Sequence, residues 1–481
     1  MNNKFLSGAV LFIIAFVLSH LASLGQVKAQ GNTFYGDGAG QNTMPGLADS
    51  AFGYSALYAN TTGNFNTATG SYALYSNSTG SNNTATGYNA LGGNATGGNN
   101  TAIGVYALSA NTIGNSNTAS GYEALYSNTT GDGNTATGTN ALYSNTTGNS
   151  NTANGTNALL SNTTGHHNTA SGLYGLKANT TGNYNTVSGE EALYSNTTGN
   201  NNTASGSSAL YVNTIGNQNT ASGADALFSN TTGSYNTANG YQALLSNATG
   251  GFNAANGAVA LYSNTTGNFN TAAGTGALFN NTTGSNNVAL GATAGIALTT
   301  GSNNICIGAG VNGVAGESNT TRIRNVYTTV ANGRAVYVNA DNKIGTLSSS
   351  RRFKEDIQPM DRSSESLFAL KPVTYRYKKE MDPERALSFG LIAEEVAQVS
   401  PELITRDEEG KPQTVRYEAV NAMLLNEFLK EHSKVVKLEA TVAKQQKDFE
   451  AALADLKEQI QKVSVQLELN KPAPQTVLNN R

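Results

Sequence analysis

The chain has 481 residues, too many for one compact domain, and its formal net charge of −3 averages two unlike halves. Between Gly31 and Thr320 there is one basic residue, Lys177, against eight acidic ones, whereas from Thr321 onward there are 25 basic and 23 acidic residues. Neither half carries the basic face that nucleic-acid binding needs, and a single cysteine, Cys306, excludes an intrachain disulfide.

The N-terminus reads as an export signal, residues 1–29. Lys4 supplies positive charge, an apolar run extends from Phe5 through about Leu24, and Val27-Lys28-Ala29 offers small residues for cleavage after Ala29. An uncleaved membrane anchor is the competing reading, because the run is long for a signal. No cysteine follows it, which excludes a lipoprotein anchor. No later stretch is apolar enough to span a bilayer, so a secreted or cell-surface protein without a membrane span is expected once the signal is removed.

Residues 30–310 repeat with a period of 17. Asn-Thr-Ala-Xaa-Gly begins at Asn66, Asn83, Asn100, Asn117, Asn134, Asn151, Asn168, Asn202, Asn219, Asn236 and Asn270, with variants at Asn185, Asn253, Asn287 and Asn304. The full consensus is Asn-Thr-Ala-Xaa-Gly-Xaa-Xaa-Ala-Leu-Xaa-Xaa-Asn-Thr-Thr-Gly-Xaa-Xaa, without insertion or deletion. Such strict phase marks a stacked solenoid. Glycines at positions five and fifteen would each cost a helix about 1 kcal/mol, whereas they suit turns with positive φ, so the pattern predicts β coils. Asn-Thr-Thr-Gly reads as turn chemistry. The apolar positions are alanine at three and eight and leucine at nine. So thin a coil predicts lateral association, most simply as a trimer. The repeat resembles in style the head repeats of trimeric autotransporter adhesins, although its period is longer. One strand spacing per repeat predicts a shaft on the order of 80 Å.

Position ten carries an aromatic row: Tyr58, Tyr75, Tyr126, Tyr143, Tyr194, Tyr211, Phe228, Tyr262 and Phe279. Such a row could bind a cell-surface glycan or host receptor, but packing against its own neighbours is the simpler expectation. Asn-Xaa-Thr triplets match glycosylation sequons, yet in a solenoid they are more simply turn residues. An ice-binding face is disfavoured because the threonine at position four drifts to Ser, Asn, Ala, Ile and Leu. The acidic residues are scattered, and the His166–His167 pair has no further ligand at metal spacing, so neither glycosidase chemistry nor a metal or cofactor is expected in the shaft. Cys306 stands where repeats carry a small residue, as a buried filler.

Residues 311–348 read as a β-rich connector, with a hairpin signal at Asn332-Gly333 and a turn at Asp341-Asn342. Three runs then follow in order: Ser349-Ser350-Arg351-Arg352-Phe353-Lys354-Glu355-Asp356-Ile357, Leu370-Lys371-Pro372-Val373-Thr374-Tyr375-Arg376-Tyr377-Lys378 and Phe389-Gly390-Leu391-Ile392-Ala393-Glu394-Glu395-Val396. Val373 to Tyr377 alternates as a strand, Ser388 to Ile392 reads as another, and Ala393 to Val399 as a helix. From Val415 the chain enters a long helix, with a coiled coil over 425–469 and a flexible tail over 470–481. Phe428, Val435, Val442, Phe449, Leu456 and Val463 recur every seven residues. Leu425, Leu453, Ile460 and Leu467 fill the companion seam, interrupted by His432, Glu439 and Gln446.

This succession resembles the endosialidase-type intramolecular chaperone, which ends phage tail spikes and bacterial surface fibres, trimerises them and cuts itself off. On that resemblance residues 349–424 form the chaperone, Ser349 is the nucleophile, Lys354 its base, and the cut falls between Ser348 and Ser349. A serine hydroxyl needs a partner to take its proton, and a lysine serves only if burial or nearby positive charge lowers its pKa; Arg351 and Arg352 could supply that charge. The expected protein is thus a mainly β, exported homotrimeric fibre, adhesin-like or structural, with at most a single-turnover autopeptidase. A phage-type tail fibre and a non-cleaving trimerisation module on a glycan-binding shaft are the alternatives. Ser-Ser-Arg-Arg-Phe-Lys read alone is a polar linker.

Overall fold

The computed structural model describes residues 26–28, 31–42, 46–325, 336–338, 343–407 and 409–470, in two units divided near residue 328. The apolar run of the export signal and the Asn332-Gly333 hairpin lie outside the described residues. Among the described residues, no helix is long and apolar enough to cross a membrane.

The first unit is a β-solenoid. Each repeat contributes one short strand, and strands one repeat apart pair in parallel, as Thr67–Thr69 does with Ser50–Phe52 and with Thr84–Thr86. The same shift runs from Asn32–Tyr35 to Ile305–Ile307, and a last coil of 16 residues brings in Thr321–Ile323. The ladder therefore continues past residue 310. At the other end Gln26–Lys28 pairs antiparallel with Asn32–Tyr35.

Alternation along the strand turns positions two and four outward and the alanine at three inward. That alanine, the alanine at eight and the leucine at nine are fully buried, as at Ala68, Ala73 and Leu74. The leucines from Leu57 to Leu278 adopt the left-handed region, with φ of 50° to 56°. That conformation costs about 1–2 kcal/mol for an L-residue, but complete burial of a leucine returns about 1.5–3 kcal/mol, so burial prevails. Cys306 occupies the inward strand position and is buried, as a filler should be.

Two expectations need correction. Positive φ falls on the glycine at five and on positions seven, nine and seventeen, not on the glycine at fifteen. Gly80 shows why glycine stands at fifteen: a Cβ there would lie 2.3 Å from the carbonyl oxygen of Gly97 and 2.5 Å from Oδ1 of Asn77. Contact distance, rather than backbone conformation, selects the residue. The asparagine at twelve is likewise no left-handed turn residue. Asn94 donates to Oδ1 of Asn77 at 2.7 Å and to the carbonyl of Gly97 at 2.9 Å, and the pattern repeats along the shaft. The asparagine at position one builds a second internal row, where the Asn117 N–H donates to Oδ1 of Asn100. Both rows are buried, so these asparagines, including those of the position-twelve sequons such as Asn128-Thr129-Thr130, are structural in the folded shaft.

The core of each coil is thus closed within one chain, and thinness does not by itself call for a second chain. The pairing is also local, one repeat apart, so the shaft can grow coil by coil. The position-ten aromatics behave as the simpler expectation held: they are largely half-buried and stack on each other, as Tyr126 on Tyr143 at 5.2 Å.

The second unit is small. Val373–Tyr375 pairs antiparallel with Ser388–Gly390, close to the expected strands, and helix α1 spans Ala393–Val399. Two elements were not foreseen: a 3-10 helix over Asp361–Ala369, and a second antiparallel pair, Ile404–Arg406 with Pro412–Val415. Helix α2, Tyr417–Leu469, has 53 residues. Its first turns bury Val420 and Met423 against Val396, Leu403, Ile404 and Val415.

Candidate functional site

The segment ahead of this small core carries the residues expected to react. Tyr337–Val338 pairs antiparallel with Ile344–Gly345, and the expected turn at Asp341-Asn342 lies outside the described residues. The chain then runs extended to a single 3-10 turn over Arg351–Phe353. That turn is closed by the Phe353 N–H donating to the Ser350 carbonyl at 3.1 Å and the Lys354 N–H to the Arg351 carbonyl at 3.0 Å. Ser349 and Lys354 therefore flank one turn of helix. Ser348 Oγ accepts from the Ser350 N–H at 3.3 Å.

Ser348, Ser349 and Lys354 are all exposed, and no hydrogen bond joins Ser349 to Lys354. Arg352 lies over the Phe353 ring at 4.6 Å. Around these polar groups the segment is apolar and uncovered: Val336, Val338, Ile344, Leu347, Phe353 and Ile357 are all exposed. A single chain thus places Ser349 and Lys354 at either end of one short turn, both open to water.

Two further features tie the unit together. The hydroxyl of Ser364, buried on the 3-10 helix, donates to Glu427 Oε1 at 2.5 Å, and Lys430 Nζ lies 2.6 Å from the same oxygen. Lys430 and the Ser364 hydroxyl hold the Glu427 carboxyl below its ordinary range. Asn426 Nδ2 adds bonds to Ser364 Oγ and to the Asp361 carbonyl. This polar clamp fixes the 3-10 helix on α2; sequence reading missed it, because its members lie some sixty residues apart. Beside it, Leu367, Pro372, Val373, Phe389, Leu391 and Leu424 line an open apolar groove.

Past residue 430, α2 leaves the core and every residue to Asn470 is exposed. Its seam is bare: Phe428 is 66 % exposed, Val442 52 %, Phe449 68 % and Ile460 59 %. One uncovered apolar stripe on a helix of this length is compatible with packing against another helix.

These features define a class first: a β-solenoid shaft followed by a small helical unit with a projecting, unpartnered helix. Residues 349–405 match the family model described as the chaperone of endosialidase, a match that begins at Ser349 and ends in the strand after Leu403. No curated protein and no solved structure matches the chain.

Proposed function

We propose that the protein is an exported, homotrimeric fibre whose C-terminal chaperone unit gathers three chains and then severs itself between Ser348 and Ser349. One observation carries this reading: the chaperone match starts at Ser349, the first residue of the piece that such a cut would release, behind the shaft and its connector. The exposed heptad seam of α2 supports the gathering step. Three seams packed together bury the stripe, and the polar His432, Glu439 and Gln446 within it set register and chain number at some cost in stability.

Assembly supplies what the single chain lacks. Packing the apolar residues of 336–357 against neighbouring chains would exclude water around Lys354 and leave its amine neutral beside Arg351 and Arg352. Neutral Lys354 Nζ then takes the proton of Ser349 Oγ as that oxygen attacks the carbonyl carbon of Ser348. The C–N bond to Ser349 breaks, its nitrogen receives the proton from Lys354, and an ester links Ser348 to Ser349 Oγ. Water hydrolyses the ester, leaving a carboxylate on Ser348 and a free amine and hydroxyl on Ser349. The chemistry occurs once per chain and makes cutting conditional on assembly. Loss of the chaperone would leave the fibre kinetically held.

Intact mass and native size of the full chain, with and without Ser349→Ala, test the reading. Wild type should split at Ser348–Ser349 while the variant stays whole, both as trimers. A cut in the Ser349→Ala chain would overturn the mechanism. Two intact trimers would instead mark the unit as a permanent trimerisation foot, a reading favoured by the exposure of both Ser349 and Lys354.

A further inference from the structure

Position seventeen of the repeat is an outward row that the sequence pattern does not single out, since its residue type varies. Part of it is aromatic and well exposed. His167 stacks on Tyr184 at 4.9 Å, and Tyr235, Phe252 and Phe269 stack in succession at 4.6 and 4.9 Å. The two blocks are separated by two coils bearing Asn201 and Gln218. Tyr184 is 58 % exposed and Tyr235 51 %. Each has one ring face covered by its stacked neighbour, which leaves the other face towards the gap.

The gap is an open groove of about 460 Å³ whose lining includes Tyr184, Asn200, Asn201, Asn217, Gln218 and Tyr235 and holds no charged residue. Its floor is rigid: Asn200 Nδ2 donates to the Thr198 carbonyl at 2.8 Å and to Asn217 Oδ1 at 3.2 Å. The side-chain amides of Asn201 and Gln218 are exposed and form no hydrogen bond among the described residues, whereas their backbone N–H groups are bonded to Asn183 and Asn200. Two phenol faces three coil steps apart, roughly 14 Å at the usual strand spacing, thus bracket a pair of free amides.

We propose that this groove is a binding site for a neutral oligosaccharide. The C–H faces of pyranose rings pack on the faces of Tyr184 and Tyr235, and hydroxyls bond the amides of Asn201 and Gln218, which offer both donors and acceptors. The uncharged lining selects against uronic and sialic acids, whose carboxylates would meet no cation. The half-buried position-ten aromatics are a separate row, engaged mainly with each other. The site stands whether or not the chain cuts itself.

Calorimetric titration of the full chain with cellohexaose, chitohexaose and mannohexaose tests this, with hexagalacturonate as the acidic counterpart. At least one neutral hexasaccharide should bind and the acidic one should not. Tyr184→Ala and Tyr235→Ala should each weaken binding about tenfold or more, as loss of a stacked aromatic face implies, and Tyr143→Ala in the other row should leave it unchanged. Gln218→Tyr places an aromatic where the row already accepts one, so it should fold normally and abolish binding by filling the gap. The proposal fails if none of the three neutral sugars binds at millimolar concentration, or if binding survives Gln218→Tyr.

Discussion

At the residue scale, the shaft is governed by small distances between neighbouring coils. Gly148 is typical of position fifteen: a Cβ would sit 2.4 Å from the Gly165 carbonyl oxygen and 2.4 Å from Asn145 Oδ1. Gly148→Ala should therefore destabilise the shaft by about 1–3 kcal/mol, the usual cost of overpacking. Gly133→Asn is the contrasting change. It lies at position seventeen with φ of +67° and only Ser150 Oγ near, at 3.8 Å, and other coils place asparagine there. Its effect should stay within about 0.5 kcal/mol, and thermal melting of the two variants separates the cases. Asp49 takes the place of the usual position-one asparagine. Burial raises its pKa, only partly opposed by hydrogen bonds from Asn66 and Asn60. A raised folded-state pKa gives stability that is complete below the unfolded value and lost as pH rises through the folded one. Asp49→Asn should thus stabilise the first coils at pH 7 and gain less near about pH 4, as hydrogen exchange at both pH values would show.

At the element scale, α2 is the element that carries a long uncovered apolar stripe. Its first turns are held by the Val420 and Met423 contacts and by the Ser364–Glu427–Lys430 clamp. Beyond residue 430 its side chains make surface contacts within the helix, such as the Gln459–Asp455 hydrogen bond and the Lys434–Glu431 and Lys462–Glu458 ion pairs, and exposed ion pairs of this kind contribute about 0–1 kcal/mol each. An isolated helix with that support is marginal in water. Val442→Glu and Leu453→Glu, both on the exposed seam, should place like charges against one another and shift the full chain from trimer to monomer in analytical ultracentrifugation. The same variants should slow the cut at Ser348–Ser349, because the reactive segment would lose its neighbouring chains. Equal trimer content in variant and wild type would remove the seam from the assembly step.

At the scale of the whole molecule, the shaft is quasi-one-dimensional: each coil touches only its neighbours, so stability is close to a sum of coil and interface terms. Deleting residues 134–150, one whole repeat, keeps every alanine, leucine and asparagine in its row. It should shorten the shaft by about 5 Å, one strand spacing, with little change in melting temperature. Deleting eight residues from the same place would bring polar positions inward and should unfold the neighbouring coils. Small-angle scattering together with melting checks both outcomes.

Much of this was legible in the chain itself. Period, phase and the alanine and leucine positions define the solenoid, because stacking one repeat on the next repeats the same contacts. The ordered motifs from Ser349 to Val396 located the chaperone segment before any coordinates, and the heptads located the long helix. Three things depended on the tertiary structure. Which glycines are there for φ and which for contact distance is decided by the next coil, which lies 17 residues away. The buried asparagine row at position twelve reads as turn chemistry until the coils are stacked, since its side-chain partners lie in neighbouring repeats. The two amides between aromatic blocks at position seventeen become a groove only when residues 17 apart stand side by side. Composition and period determine that this chain coils; the surfaces it presents arise from side chains that only the stacking makes neighbours.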